Sequence, residues 1–297
     1  IALCALHGAA AGQELVGRAQ TATSHDGMVV AQEPLAARVG VDILKKGGNA
    51  VDAAVAVGFA MAVTYPRAGN MGGGGFMVIH RADGDDVAID YRETAPAAIT
   101  ATSFLDAQGN ADPEKSRNSA LAIGIPGTVA GLALAEQKYG SGRFTLADLI
   151  APAIALARDG FAVSATTMPP PFAASRLARW PSSSKIFLKP DGSALSVGDR
   201  LVQSDLANSL ETVAKDGPGA FYDGPMAQKI AAAVQAAGGV MTADDLKQYR
   251  AVERAPVRGT YRGYGIVSMP PPSSGGVELI EMLNILEGYD LAHDDQG

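Results

Sequence analysis

The sequence predicts an α/β protein, and three local patterns carry that reading. The run GMVVAQ (27–32) reads as a short buried strand. Residues 34–46 place Leu35, Val39, Ile43 and Leu44 at helical spacing. Two apolar runs, 76–80 and 87–91, flank the turn Asp83-Gly84-Asp85-Asp86, which makes a hairpin the natural expectation.

The elements follow in order. Gly47 and Gly48 end the first helix as C-cap glycines. Asn49 is the expected N-cap of a second helix, Ala50–Val63, whose Ala53, Ala54, Ala56 and Ala60 permit close packing, and Pro66 stops it. A glycine run, Gly72 to Gly75, leads into the strand Phe76–His80, and the chain returns as Val87–Tyr91. Further helices are expected at 128–138, 146–158, 206–216, 225–237 and 244–249, with strands at 258–261 and 264–269. The segment PPPSSGG (270–276) then precedes a last helix, Val277–Glu287, closed by Gly288. The Pro- and Ser-rich stretch 168–184 reads as a surface excursion. No composition break divides residues 12–297, which read as a single domain.

The first residues, IALCALHGAAAGQELVG, combine an apolar start with small Ala9, Ala10 and Ala11. Residues 1–11 therefore read as the remnant of a signal peptide, with a short N-terminal strand as the competing reading. A lipid anchor on Cys4 is disfavoured by the bulky Leu3 before it. The most apolar run, 50–65, contains Asp52 and is shorter than the roughly 20 residues a spanning helix needs, so no membrane span is expected.

Composition excludes several function classes. With 31 acidic and 24 basic side chains the net charge is -7, which offers no counterion-release drive toward nucleic acid. A 47% apolar content argues against disorder, and a single cysteine excludes a disulfide framework and a thiolate cluster. His7, His25, His80 and His293 lack any metal-ligand spacing. Asp83, Asp85 and Asp86 lack the downstream glutamate of a calcium loop and read as a solvated hairpin tip. The run GNMGGGGFM follows a helix and enters a strand, the reverse of a phosphate loop, so its glycines are expected to let backbone approach backbone. Ser273 and Ser274 have no nucleophile elbow and no base histidine beside them. The most informative charge is Arg92, at the exit of AIDYRE. Its planar fork suits a carboxylate, although on the residues alone a surface ion pair with Asp90 or Glu93 is the leading reading.

Taken together, GMVVAQ, VGVDILKKGGNAVDAAVAVGFAMAVTYP, AGNMGGGGFMVI, AIDYRETAPA, IGIPGTVAGLALAEQKYG, LIAPAIALARDGF, VERAPVRGTYRGY and MPPPSSGGVELIEMLNILEG resemble the large subunit of γ-glutamyltransferases, in the family's order, from about residue 22 to 290. The pair Glu33-Pro34 departs from the pattern. The resemblance implies an N-terminal-nucleophile hydrolase: an αββα sandwich completed by a small subunit cut from the same proenzyme. That partner would carry the N-terminal threonine nucleophile, whose own amine is the base, and the oxyanion hole. Donors would be γ-glutamyl compounds such as glutathione or glutamine, acceptors would be water, amino acids or peptides, and no metal or organic cofactor is implied. Arg92 would bind the α-carboxylate of the γ-glutamyl group, with Glu93 as its support, and no catalytic residue would lie in this chain. Gly72–Gly75 and PPPSSGG would be structural. A tail beyond Gly297 is expected to be missing, and export to the periplasm or medium is expected. Two alternatives stand beside this: a cephalosporin or glutaryl acylase of the same superfamily, and a non-catalytic subunit binding an acidic solute.

Overall fold

The structure, a computed structural model, describes residues 22–165, 167 and 171–291, with side chains left undescribed at 171–173. The expected signal remnant (1–11), Cys4, His7 and His293 lie outside the described residues. In chain order the elements are α1 (Pro34–Lys45), α2 (Ala50–Thr64), β1 (Phe76–His80), β2 (Asp86–Asp90), α3 (Pro113–Asn118), α4 (Thr128–Tyr139), α5 (Leu146–Asp159) and β3 (Phe161–Ala162). There follow α6 (Pro171–Leu177), α7 (Pro181–Phe187), β4 (Arg200–Leu201), α8 (Ser204–Asp216), α9 (Gly219–Tyr222), α10 (Pro225–Ala236) and α11 (Ala243–Gln248). The chain closes with β5 (Val252–Arg254), β6 (Val257–Tyr261), β7 (Tyr264–Ser268) and α12 (Gly275–Leu286).

The helices begin and end where side chains satisfy their free backbone groups. Glu33, buried, accepts from the amides of Leu35 (2.8 Å) and Ala36 (3.1 Å), so the Glu33-Pro34 pair is the N-cap and first residue of α1. Gly47 follows α1 at φ +88°, a backbone state that strains any side chain. Asn49 and Asp52 form a reciprocal capping box on α2, with Asp52 accepting the Asn49 amide at 2.8 Å. Asp52 also accepts from the Ser141 amide (3.2 Å), tying the start of α2 to the loop before α5. Helix α2 is apolar nearly all round and is the hub of the core: it packs on α1, α4 and α5, and α5 in turn on α8.

The main sheet is antiparallel, in the order β1-β2-β5. Its register sets Met77 opposite Ile89 and Ile79 opposite Val87, so these four share one face, and Ile79 and Ile89 lie in the core. The opposite face carries charge. Asp90 pairs with Arg254 (2.8 Å), and Asp86 meets both His80 (2.7 Å) and Arg258 (2.6 Å). Arg258 belongs to β6, so Asp86 joins this sheet to the β6–β7 hairpin, against which α12 packs.

One expectation is corrected. GMVVAQ forms no strand: residues 27–31 pair with no strand among the described residues. Val29 instead packs so tightly over α1 and α2 that a Cβ on Gly40 would lie 2.8 Å from its methyl group, while Met28 and Val30 are 53% and 85% exposed. The excursion at 168–184 contains α6 and most of α7. Pro171 and Pro181 begin these helices, where a proline's missing N–H is no loss. Five short elements, α3, β3, β4, α9 and β5, add to those expected. The described residues hold a mixed sheet-and-helix arrangement, with α4 against β2 and α12 against the β6–β7 hairpin.

Candidate functional site

Arg92 leaves β2 through a frame built from residues far apart in sequence. Tyr91 exchanges two main-chain hydrogen bonds with Gly75 (3.0 and 3.2 Å), which extends the hairpin one residue past the strand. The glycine run closes on this exit, as a backbone-to-backbone approach requires. A Cβ on Gly74 would lie 2.9 Å from the Glu93 amide, and one on Gly75 would lie 2.8 Å from the Tyr91 ring. From the other side, any side chain at Gly127 would strike the Tyr91 carbonyl, and at Gly131 the Tyr91 ring itself. The Gly73 carbonyl accepts from the amides of Gly127 (2.7 Å) and Thr128 (3.0 Å), satisfying the start of α4.

Three tyrosines stiffen this frame. Tyr249 donates to the main-chain carbonyl of Arg92 (2.9 Å) and stacks on Tyr222, ring centroids 5.7 Å apart. Tyr222 donates to the Pro126 carbonyl (3.0 Å) and accepts from the Ala130 amide (3.1 Å). Burial pushes the Tyr91 hydroxyl up to about 12; it raises Tyr222 and Tyr249 further, Tyr249 also through its tyrosine and carboxylate neighbours. All three therefore stay neutral donors at physiological pH. Asp245 caps α11 and accepts from Ala97 (2.9 Å). Burial opposes its ionisation, but the hydrogen bonds from Ala97 and Thr242 outweigh that and lower its pKa.

The side chain of Arg92 does not pair with either neighbouring acid. Asp90 is engaged by Arg254 and by the Arg92 main-chain amide (3.1 Å), and the Glu93 carboxylate turns toward Gly74. The surface ion pair expected from the residues alone is thus overturned. The Arg92 guanidinium donates instead to the carbonyl of Pro272 (3.2 Å), inside the PPPSSGG segment, 180 residues away. It is exposed, and among the described residues no carboxylate is within ion-pair distance of it. Its arrangement suits reversible capture of an anionic group, because a neutral carbonyl acceptor is readily exchanged for a charged one. Glu93 lines a cavity of about 300 Å³ together with Gly74, Asn70 and Tyr65, and Arg92 is not among the described residues that line it. The structure therefore brings Arg92 to the PPPSSGG loop and places Glu93 in the glycine-lined pocket. Tyr249 and Tyr222 carry no signal in the sequence, since no local pattern marks a tyrosine as the cap of a carbonyl 157 residues distant; PPPSSGG is conspicuous there, but not the meeting of its Pro272 with Arg92.

Among the described residues no cluster of three or more His, Cys, Asp or Glu side chains is placed to hold a metal ion, and no helix is long and apolar enough to cross a membrane.

Comparison with known proteins gives the site its context. Residues 36–297 match the family model for gamma-glutamyltranspeptidase. The chain is 52% identical over 267 residues to the glutathione hydrolase proenzyme of Escherichia coli (strain K12), covering 89% of this chain and 46% of that protein. It is 41% identical over 283 residues to the acylase ACY 1 proenzyme of Pseudomonas sp. (strain V22), covering 91% of this chain and 49% of that one. The crystal structure of Helicobacter pylori gamma-glutamyltranspeptidase superposes with a TM-score of 0.87 at 45% identity, covering 92% of this chain and 78% of that one. The chain spans about half the length of the curated relatives it matches.

Proposed function

The chain belongs to the gamma-glutamyltranspeptidase family, and from that premise we propose that it is the large subunit of a glutathione hydrolase that acts once joined to a small subunit of the same proenzyme. Residues 12–297 form the large-subunit domain. The partner carries the threonine nucleophile, which takes the γ-glutamyl group from glutathione, glutamine or a related donor as an acyl-enzyme. Water or an amino acid or peptide acceptor then receives it. This chain contributes Arg92, which clamps the donor's α-carboxylate, while Glu93 supports the loop beside it. The enzyme works in the periplasm or outside the cell, without a metal or organic cofactor.

One observation carries the assignment: an exposed guanidinium held by a single neutral carbonyl, with both adjacent acids engaged elsewhere. Binding the donor exchanges the Pro272 carbonyl for a carboxylate, a charge-assisted and bidentate acceptor. Loss of such a bond costs about 1.5–3 kcal/mol, so Arg92→Ala in the assembled enzyme is expected to lower donor kcat/KM by roughly 10- to 150-fold, chiefly through KM. An unchanged donor KM would sink the assignment. The similarity to an acylase keeps a second substrate class in view, because the same fork can hold the distal carboxylate of a glutaryl chain. Turnover of a γ-glutamyl anilide well ahead of a glutaryl amide is the expected result. The reverse preference would make the protein an acylase, and turnover of neither a non-catalytic subunit.

A further inference from the structure

Away from Arg92 and the PPPSSGG segment, a cavity of about 460 Å³ opens between α3, the α6–α7 link and α10. This volume lies in the range of small-molecule sites, roughly 300–1,000 Å³. Three arginines line it: Arg117 from the last turn of α3, Arg176 from the last turn of α6, and Arg179 from the link. Trp180, 49% exposed, presents its indole beside them, Ser182 and Ser183 add hydroxyls, and Val234 with neighbouring alanines of α10 forms an apolar side.

The charge balance of this cavity is unusual for the chain. The protein as a whole carries seven more acids than bases, yet among the described residues no Asp or Glu lines the cavity. Among the described residues none of the three arginines has a carboxylate within ion-pair distance. Arg176 donates to the side-chain oxygen of Asn118 (3.1 Å), and Glu114 takes up that amide's other end (2.8 Å) without lining the cavity. Three like charges around one concave space repel one another and raise the local positive potential. A ligand with two or more negative charges relieves that repulsion at all three at once. Guanidinium forks suit planar carboxylates, and the indole beside them suits a flat or apolar body.

We propose that this cavity is a binding site for a small organic polyanion, a flat molecule carrying at least two carboxylates, distinct from the Arg92 site. Trp180 is the only tryptophan of the chain, so its fluorescence reports on the cavity directly. The assembled two-subunit protein is titrated with benzene-1,3-dicarboxylate at constant ionic strength, with Trp180→Phe as the blank that removes any signal from tryptophans of the partner. Benzamide, inorganic phosphate and sodium chloride serve as comparison probes. A saturable change with the dicarboxylate, absent with benzamide and weakened at least about tenfold in Arg117→Ala/Arg179→Ala, is expected. Both arginines are exposed, and unchanged γ-glutamyl anilide turnover in the double variant would show that it is folded. Arg117→Lys/Arg179→Lys, which keeps the charge and loses the forks, should bind with intermediate strength. No saturable signal, equal binding by the double alanine variant, or equal binding of phosphate or chloride would each overturn the proposal.

Discussion

At the scale of single residues, the main chain of Arg92 is held more firmly than its side chain. Its amide donates to Asp90 and its carbonyl accepts from Tyr249, while the guanidinium keeps one replaceable partner. This division lets the fork change acceptor without moving the strand exit. Under the proposed role of Arg92, Tyr249 is a positioning residue. Tyr249→Phe leaves the Arg92 carbonyl without its partner at a cost of about 1–2 kcal/mol and loosens the exit. In steady-state kinetics the expected outcome is a raised donor KM with kcat little changed. A parallel fall in kcat with no change in KM would show that the hydroxyl acts elsewhere. Gly131 and Gly127 belong to the same frame, because the ring and carbonyl of Tyr91 occupy the space their side chains would fill.

At the scale of elements, Asp86 is the joint between two pieces of sheet. The hydrogen bond with His80 is the largest cause that lowers its carboxyl below the usual value of 3.8, followed after an opposing desolvation by Arg258. A depressed carboxylate contributes stability that is fully present above its unfolded value and is lost as the pH falls through the folded one. The part of the docking of β6 and β7 on β2 that the Asp86 carboxylate supplies should therefore be fully present above about 3.8 and be lost in more acid solution. Asp86→Asn is expected to remove that acid-dependent step and to leave the hairpin less protected at neutral pH. Hydrogen exchange across residues 257–268 at several pH values reads both effects, and an identical acid profile in wild type and variant would refute the assignment.

Much of this level was legible in the sequence. The helices from α1 to α12 with clear caps, such as Asn49 with Asp52 and Thr145 with Asp148, fall within a residue or two of where the apolar spacing puts them. What escaped was set by long-range pairing. β5 is three exposed residues, and only its ladder to Ala88–Asp90 makes it a strand. GMVVAQ has the composition of a strand, but composition cannot supply the neighbour that would complete a ladder. The same holds at the site. The arginine was visible at the strand end, but its acceptor, 180 residues on, was not.

At the scale of the molecule, the described surface is unevenly finished. Helix α12 rests on β6 and β7, and its Met282 and Ile285 are 54% and 59% exposed, with Val277 on the helix and Tyr289 just beyond it open as well. A groove of about 750 Å³ runs between the segment 26–30, α2 and β1. Apolar faces of this kind mark association surfaces. Under the two-subunit reading they belong to the small subunit. Met282→Glu/Ile285→Glu is expected to lower the yield of the two-chain complex severalfold in size-exclusion chromatography while the helical circular dichroism of the recovered protein is unchanged. Full recovery of the complex would show that α12 faces something else.

Under the two-subunit reading, that bare face of α12 also bears on how the two chains are made. If the two halves leave the ribosome as one polypeptide, each meets the other at an effective concentration on the order of millimolar, set by the chain between them and not by expression level. Two halves produced from separate genes would have to meet at cellular, roughly micromolar, concentrations, with α12 open to every other apolar surface in the meantime. Under that reading, cutting after assembly, and not before it, would keep the wait of that helix short.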